Sequence, residues 1–359
     1  MSFVTLVKSV LLNAHKMRGT ALIVSLMVAT APWACGQTEA DSNAAAFDNF
    51  YNMDYNLATK QFRDLTVAQP QSADGWNYLA QAIFYSAMFD CGLMGSDLVK
   101  SNEAVLHSPK VVLTPEHEAE MQASLSKAEQ IAQMKLKANP QDTAALYALG
   151  VSYGLQANYE LLSKHAWLAG LKAADESRKL HEQVIKLDPN NYDARLVPGT
   201  HQYMVGTMPL FVRFAAKAAG VNGNRAEGLK KVELTAARGE RSKLDAQILL
   251  TVLYRREGRS EAGIPILQRI SETYPRNFIF RTELAKLYAD TGNKAAAAAE
   301  LDCVNKMIAQ EAPGYTGARV AQIKVQENEV AQMIGQMPDA APVLAAAKTQ
   351  TPPHANLLK

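Results

Sequence analysis

Apolar positions near the C-terminal end recur in one pattern at a fixed distance. Leu250, Tyr254, Leu267 and Ile270 match Leu284, Tyr288, Leu301 and Val304, with Gly258 and Gly292 at the equivalent point between them. Each matched pair lies 34 residues apart, as Tyr254 and Tyr288 do, and that period belongs to a helix–turn–helix unit. Leu250 and Tyr254 stand one helical turn apart, so they share a face. Gly258 and Gly292 predict the ends of first helices, where the residue past the C-cap often takes positive φ. Leu267 and Ile270 place a second stripe on a second helix, which Pro275 closes because it cannot continue the helix. Neither hairpin can bury both stripes alone, so each needs its neighbour.

With the phase known, earlier units follow. Ala58, Phe62, Leu65 and Pro70 fit a second helix, and Trp76, Leu79, Ala80 and Ile83 fit the next first helix. Leu149, Gly150 and Tyr153 fit another first helix, and Lys186-Leu187-Asp188-Pro189-Asn190-Asn191 reads as a closing segment. Ala138-Asn139-Pro140 and Tyr274-Pro275-Arg276-Asn277 are looser versions of it. Over residues 44–311 the chain resembles the tetratricopeptide repeat family. That resemblance implies an all-α, right-handed superhelical solenoid of helix–turn–helix repeats, with a generic helical bundle as the alternative.

The middle is irregular, at about 86–127, 154–175 and 206–240, whereas the repeats from about 244 to 311 are regular. Leu149 to Pro189 spans about 40 residues where a regular unit needs about 25, which predicts extra helix inside that unit. The block from Gly206 through Met208, Pro209, Phe211 and Phe214 to Gly228 predicts an apolar helix and a Gly/Asn loop. It loosely resembles the helical blocks of Iml2/TTC39 tetratricopeptide proteins and the periplasmic repeat proteins associated with tripartite transporters. Two readings stand for it: an insertion that plugs the solenoid's inner face, or a border of an apolar ligand pocket formed by Met208, Phe211 and Phe214.

The first 36 residues read as a signal peptide. Lys8, Lys16 and Arg18 are basic, no acid precedes Glu39, and Ala21 to Ala31 is an apolar run too short to span a bilayer. Small residues before Gln37 predict cleavage after Gly36; the alternative is lipidation at Cys35, in a context that departs from a lipobox at Pro32. This predicts an exported protein, periplasmic or outer-membrane-associated, that touches membrane only through a lipid on Cys35. Residues 37–43 read as a linker, 312–337 as a capping helix carrying Val320, Ile323, Val330, Met333 and Ile334, and 338–359 as a disordered Pro/Ala tail.

Composition adds exclusions. Hydrophobic residues are 48% and aromatic residues 7%, which suits close helix packing. The net charge of +2 includes the three leader cations, leaving the remainder near −1. A nucleic-acid partner would need a basic face, so none is expected. Cys91 and Cys303 fall in opposite halves and read as buried free thiols. No zinc spacing is present: His117-Glu118 and His181-Glu182 lack the second His of a zinc-protease motif and read as solvated helix residues. Gly220, Gly223 and Gly228 are too irregular for a phosphate loop. With no catalytic constellation, cofactor or metal motif, the chain reads as a non-enzyme.

The resemblance implies that first helices line a concave, partner-binding face. Positions beside the apolar stripes then select Asn77, Gln81 and Tyr85; Tyr147; His201 and Gln202; Arg255 and Arg256; and Lys286. Ile248, Val252, Thr282, Asp290 and Val151 complete that face. Arg255 and Arg256 suit a carboxylate or peptide terminus; they equally suit a solvated last turn, where cations favour the helix dipole. The expected function is a scaffold binding protein or peptide partners; the alternative is a repeat subunit capturing a small apolar ligand for an envelope transporter.

Overall fold

The computed structural model describes residues 37–96, 108–210, 222–315 and 317–336, with Arg213, Phe214 and Lys217. Residues 1–36, read above as a signal peptide with Cys35, and Phe211 and the expected tail from 338 lie outside the described residues.

Among these residues the secondary structure is helical and no strand occurs. The α-helices are α1 (Gln37–Tyr51), α2 (Tyr55–Ala68), α3 (Ala73–Asp90), α4 (Pro115–Ala138), α5 (Thr143–Leu162), α6 (Trp167–Leu187) and α7 (Leu196–Gly206), then α8 (Arg225–Arg238), α9 (Lys243–Arg256), α10 (Ser260–Thr273), α11 (Phe278–Asp290), α12 (Lys294–Ala309) and α13 (Gly317–Gln336). Polar residues start many of them. The Ala145 N–H donates to the Asp142 carboxylate at 2.9 Å, and the side chains of Ser72, Thr114, Asn224, Asn277 and Asn293 likewise accept from first-turn amides. Such caps satisfy amides that have no partner within the helix. Gly258 and Gly292 end α9 and α11 at φ +69° and +82°, as the repeat phase predicts.

The helices pack in chain order, α1 on α2, α3 on α4, and so on to α11 on α12. The result is an all-α helical solenoid of tetratricopeptide-like hairpins, with α13 against α11 and α12 at its end. Ile323 and Val330 of α13 are fully buried. No described helix is long and apolar enough to cross a membrane.

Three expectations need correction. Residues 37–43 are the first turns of α1, not a linker. No extra helix lies between Leu149 and Pro189; the surplus length extends α5 and α6, at 20 and 21 residues. His181 is buried rather than solvated. It lies on α6 where α5 carries Gly150, and a Cβ there would meet the imidazole at 2.6 Å. Glycine lets the helices approach until His181 stacks edge-on against Tyr147, ring centroids 5.1 Å apart. Gly223 and Gly228 serve the same end between α7 and α8: a Cβ on Gly228 would meet the Tyr203 N–H nitrogen at 2.3 Å.

The first units also meet the last ones. The Tyr51 hydroxyl donates to Asp245 of α9 at 3.0 Å, and the Asn277 amide donates to the Tyr51 carbonyl at 2.7 Å. The turn between α1 and α2, with Met53 at φ +65°, is gripped from the C-terminal side. Arg276 donates to Asp54 at 2.9 Å, the Arg276 N–H donates to Asn52 at 3.0 Å, and Arg319 donates to the Met53 carbonyl at 2.7 Å. Tyr147 and Ser242, and Arg241 and Asp74, join the middle units to α9 in the same way. The array closes on itself, and one apolar core runs from Phe47 on α1 to Ile323 on α13.

Candidate functional site

Closure decides where the expected concave residues lie. Asn77 is fully buried, donating to the Ala148 carbonyl and accepting from Ser152. Gln81, Tyr85, Tyr147 and His201 are buried as well. Lys286 is fully buried between Glu283 at 3.1 Å and Glu329 at 2.8 Å. Gln202 is half-buried. These residues form the seam where inner helices meet, so the open groove that the resemblance implies is replaced by core. Burial of His201 pushes its imidazole down to about 4, and burial does the same to His181; at neutral pH both are uncharged packing groups.

Arg255 and Arg256 are the exceptions. They stand on the last turn of α9 and open onto a cleft of about 950 Å³ with Gly258, Arg259, Ser260, Glu261, Asp290 and Ser96. The positive φ at Gly258 turns the chain so that Arg259 enters beside them. Each guanidinium is held in place. Arg255 donates to Asp290 at 2.7 Å and to Ser96 Oγ at 3.4 Å. Arg256 lies over the Tyr203 ring, 5.8 Å from its centroid, and burial lowers its pKa. Arg259, about half exposed, lies over the Tyr254 ring at 4.5 Å. Burial and the hydrogen bond to Glu233 push that tyrosine up to about 12. The first turn of α10 borders the same cleft, and no side chain of its N-cap residue Arg259 caps it. Planar donors fixed around an opening suit a carboxylate or another planar anion.

No family model matches the chain, and no curated protein matches it. Among solved structures it is similar to a human IFIT1 dimer with m7Gppp-AAAA, at 14% identity and a TM-score of 0.35, over 92% of this chain and 68% of that one. It is likewise similar to a monomeric IFIT1 mutant with Gppp-AAAA, at 15% identity and a TM-score of 0.33, over 92% and 69%. Likeness at this level assigns no ligand to this chain.

Two further openings frame the cleft. One of about 700 Å³ lies at the closure, between Asp54, Tyr55, Leu57, Phe89, Arg276 and Arg319. The other, inside the closed array, has a volume of about 80 Å³ and is walled by Phe50, Tyr51, Tyr55, Tyr85, Asp245 and Glu283 among others. The described residues of the Met208–Phe214 block line none of these three: Met208 is buried and Phe214 is 72% exposed. Cys91 and Cys303 are free and half-buried, short of the full burial expected. Among the described residues no His, Cys, Asp and Glu gather as metal ligands.

Sequence reasoning found Arg255 and Arg256 and missed Arg259, Ser260 and Ser96. Arg259 and Ser260 directly follow the turn glycine, a signal available in the repeat. Ser96 comes from the irregular stretch after α3, which no periodicity places.

Proposed function

We propose that this is an exported, non-catalytic helical-repeat protein of the bacterial cell envelope that binds protein or peptide partners. The observation that carries the reading is the cleft at the α9–α10 turn, where Arg255, Arg256 and Arg259 converge beside a helix start. The basic leader, its short apolar run and the small residues before Gln37 support export, with Cys35 the point of lipid attachment if the leader is processed there. Partner binding therefore uses the turn side of the solenoid rather than its inner face.

Glu261 and Asp290 interrupt the arginines. A continuous basic face, as nucleic acid requires, is not what this cleft presents, and a peptide carrying a few acids suits it better. The transporter-subunit alternative needs an apolar cavity of about 300–1,000 Å³; the inner one is smaller, and the two openings of that size carry arginines and carboxylates in their walls. The test is capture from an envelope fraction with wild-type protein and with Arg259→Ala, followed by mass spectrometry. A partner retained by the wild type and lost by the variant supports the reading. A partner set indifferent to Arg259 and to Arg256→Ala refutes the cleft as the site.

A further inference from the structure

The last described helix delivers the chain to the outer cleft. α13 runs parallel to α11: Arg319 meets the Arg276 carbonyl, Gln326 accepts from Thr282, Glu329 pairs with Lys286 at 2.8 Å, and Met333 meets Arg255 at 3.8 Å. Met333 and Ile334 pack on the cluster that holds Ala289, and the next residue of α11, Asp290, lines the cleft. Pro338 follows in the sequence. Its ring clashes with the preceding helical turn and disfavours helix at the residue before it, in keeping with the end of α13 at Gln336. Gln336 lies about 5 Å of helical rise beyond Met333, and three further residues span at most about 10 Å. Asp339 thus has the cleft within its reach.

The charges match in number. Asp339 is the one acidic residue after Glu329, and the sequence around it is otherwise uncharged from Val330 to Ala347. In the cleft, Arg255 is already paired with Asp290 at 2.7 Å, and Glu261 opposes a second negative charge. Arg259 differs from Arg255. Its side chain is about half exposed, its ion pair with Glu233 spans 3.9 Å, and α10 starts beside it with no side-chain cap. A guanidinium and first-turn amides both favour a carboxylate. Val252 and Ala262 supply apolar wall next to them, which suits Ala340, Ala341 and Pro342.

We infer that the cleft is occupied by the chain's own segment 337–342, with the Asp339 carboxylate on Arg259. A tether of a few residues holds that carboxylate at an effective concentration on the order of 1 mM, so a contact too weak to retain a free peptide still fills the site. A composition that forms no core of its own can order on such a surface. On the partner reading proposed above, which uses the same cleft, an incoming acid must displace Asp339. A peptide that offers only a lone acid gains nothing over the resident one, and a partner with further contacts enters.

Arg259→Lys keeps the positive charge and gives a carbodiimide an amine to join to a carboxylate. In the full-length chain the expected product is an amide between position 259 and Asp339, read by peptide mass spectrometry and lost in Arg259→Lys/Asp339→Asn. Moving the acid along the segment, with Asp339→Ala/Ala346→Asp, should lower the yield about fivefold or more. A second measurement leaves Arg259 in place: phenylglyoxal should modify it about threefold faster in Asp339→Asn than in the wild type, with equal thermal melts. Absence of the amide, an equal yield from the relocated acid, or equal phenylglyoxal rates each overturn the inference. An equal mixture of ¹⁵N-labelled and unlabelled chains tests the route; amides formed only between the two kinds overturn it in favour of a second copy. Envelope capture separates this inference from the partner reading, since Asp339→Asn should raise the captured partner about threefold. Capture that needs Arg259 and ignores Asp339 overturns the role of segment 337–342 and keeps the partner reading. An intramolecular amide together with capture indifferent to Arg259 does the reverse.

Discussion

Replacing Arg319 with alanine tests whether the two ends of the solenoid hold each other. Its side chain is 6% exposed, donates to the Met53 carbonyl at 2.7 Å and lies near Asp54 at 3.5 Å. The guanidinium also covers the Phe89 and Tyr315 rings at 5.7 and 5.6 Å. A hydrogen bond from a charged donor contributes about 1.5–3 kcal/mol, and each ring contact adds about 0.5–1 kcal/mol. Removing the cation relieves its own desolvation, which offsets part of that sum. Asp54 keeps Arg276 at 2.9 Å, so no buried carboxylate is orphaned. The net loss should be about 2–3 kcal/mol by urea unfolding. Its location matters more than its size. In an open repeat array each unit contacts only its neighbours, so the damage would stay near α13. Here amide hydrogen exchange should accelerate in α2 and α3 as well, because Arg319 reaches residues more than 260 positions away in sequence. Acceleration confined to α11–α13, with α2 and α3 unchanged, would refute the closure argument.

Gly150→Ala should cost about 1–3 kcal/mol, because its Cβ meets His181 at 2.6 Å; combined with His181→Ala the loss should fall short of the sum by at least about 0.5 kcal/mol in a double-mutant cycle. Burial holds the folded pKa of both His181 and His201 at about 4, below the unfolded value of about 6.5. The unfolded chain therefore binds the extra proton, and stability is lost as pH falls from about 6.5 towards 4. Urea unfolding should show about 2 kcal/mol lost per histidine at pH 5 relative to pH 7, and His201→Asn should remove one share. Tyr254→Ala should lose about 2–4 kcal/mol, since Tyr254 is 9% exposed. Tyr288→Ala should lose less, because that ring is only half-buried; equal losses in denaturant melts would contradict the burial difference.

The repeat period made the C-terminal hairpins legible to within a residue or two. It placed the left-handed glycines at Gly258 and Gly292 and the buried stripe from Leu250 to Leu284, because these are local features written at fixed spacing. Closure was not legible. It rests on Asn52, Asp54, Arg276 and Arg319, and no local pattern reports a pairing between positions more than two hundred residues apart. Choosing concave residues by their place on each helix was geometrically sound for an open array. It put Asn77, Tyr147 and Lys286 on the correct inner side, but that side meets other inner helices instead of solvent. His181 failed for a related reason: a polar residue on a helix looks solvated until the glycine facing it, Gly150, brings the next helix within contact. Arg255 and Arg256, on the last turn of α9, border the outer cleft instead.

The grip of Arg276 and Arg319 on the turn at Asn52 to Asp54 has a consequence for how such a chain evolves. Open repeat proteins lengthen or shorten by whole units, since a duplicated hairpin simply adds another step to the stack. In this chain a duplicated 34-residue unit would carry Arg319 a full step away from Met53 and leave both ends uncovered. A deleted unit would drive α13 into α1. The number of hairpins is therefore locked by the circuit they complete.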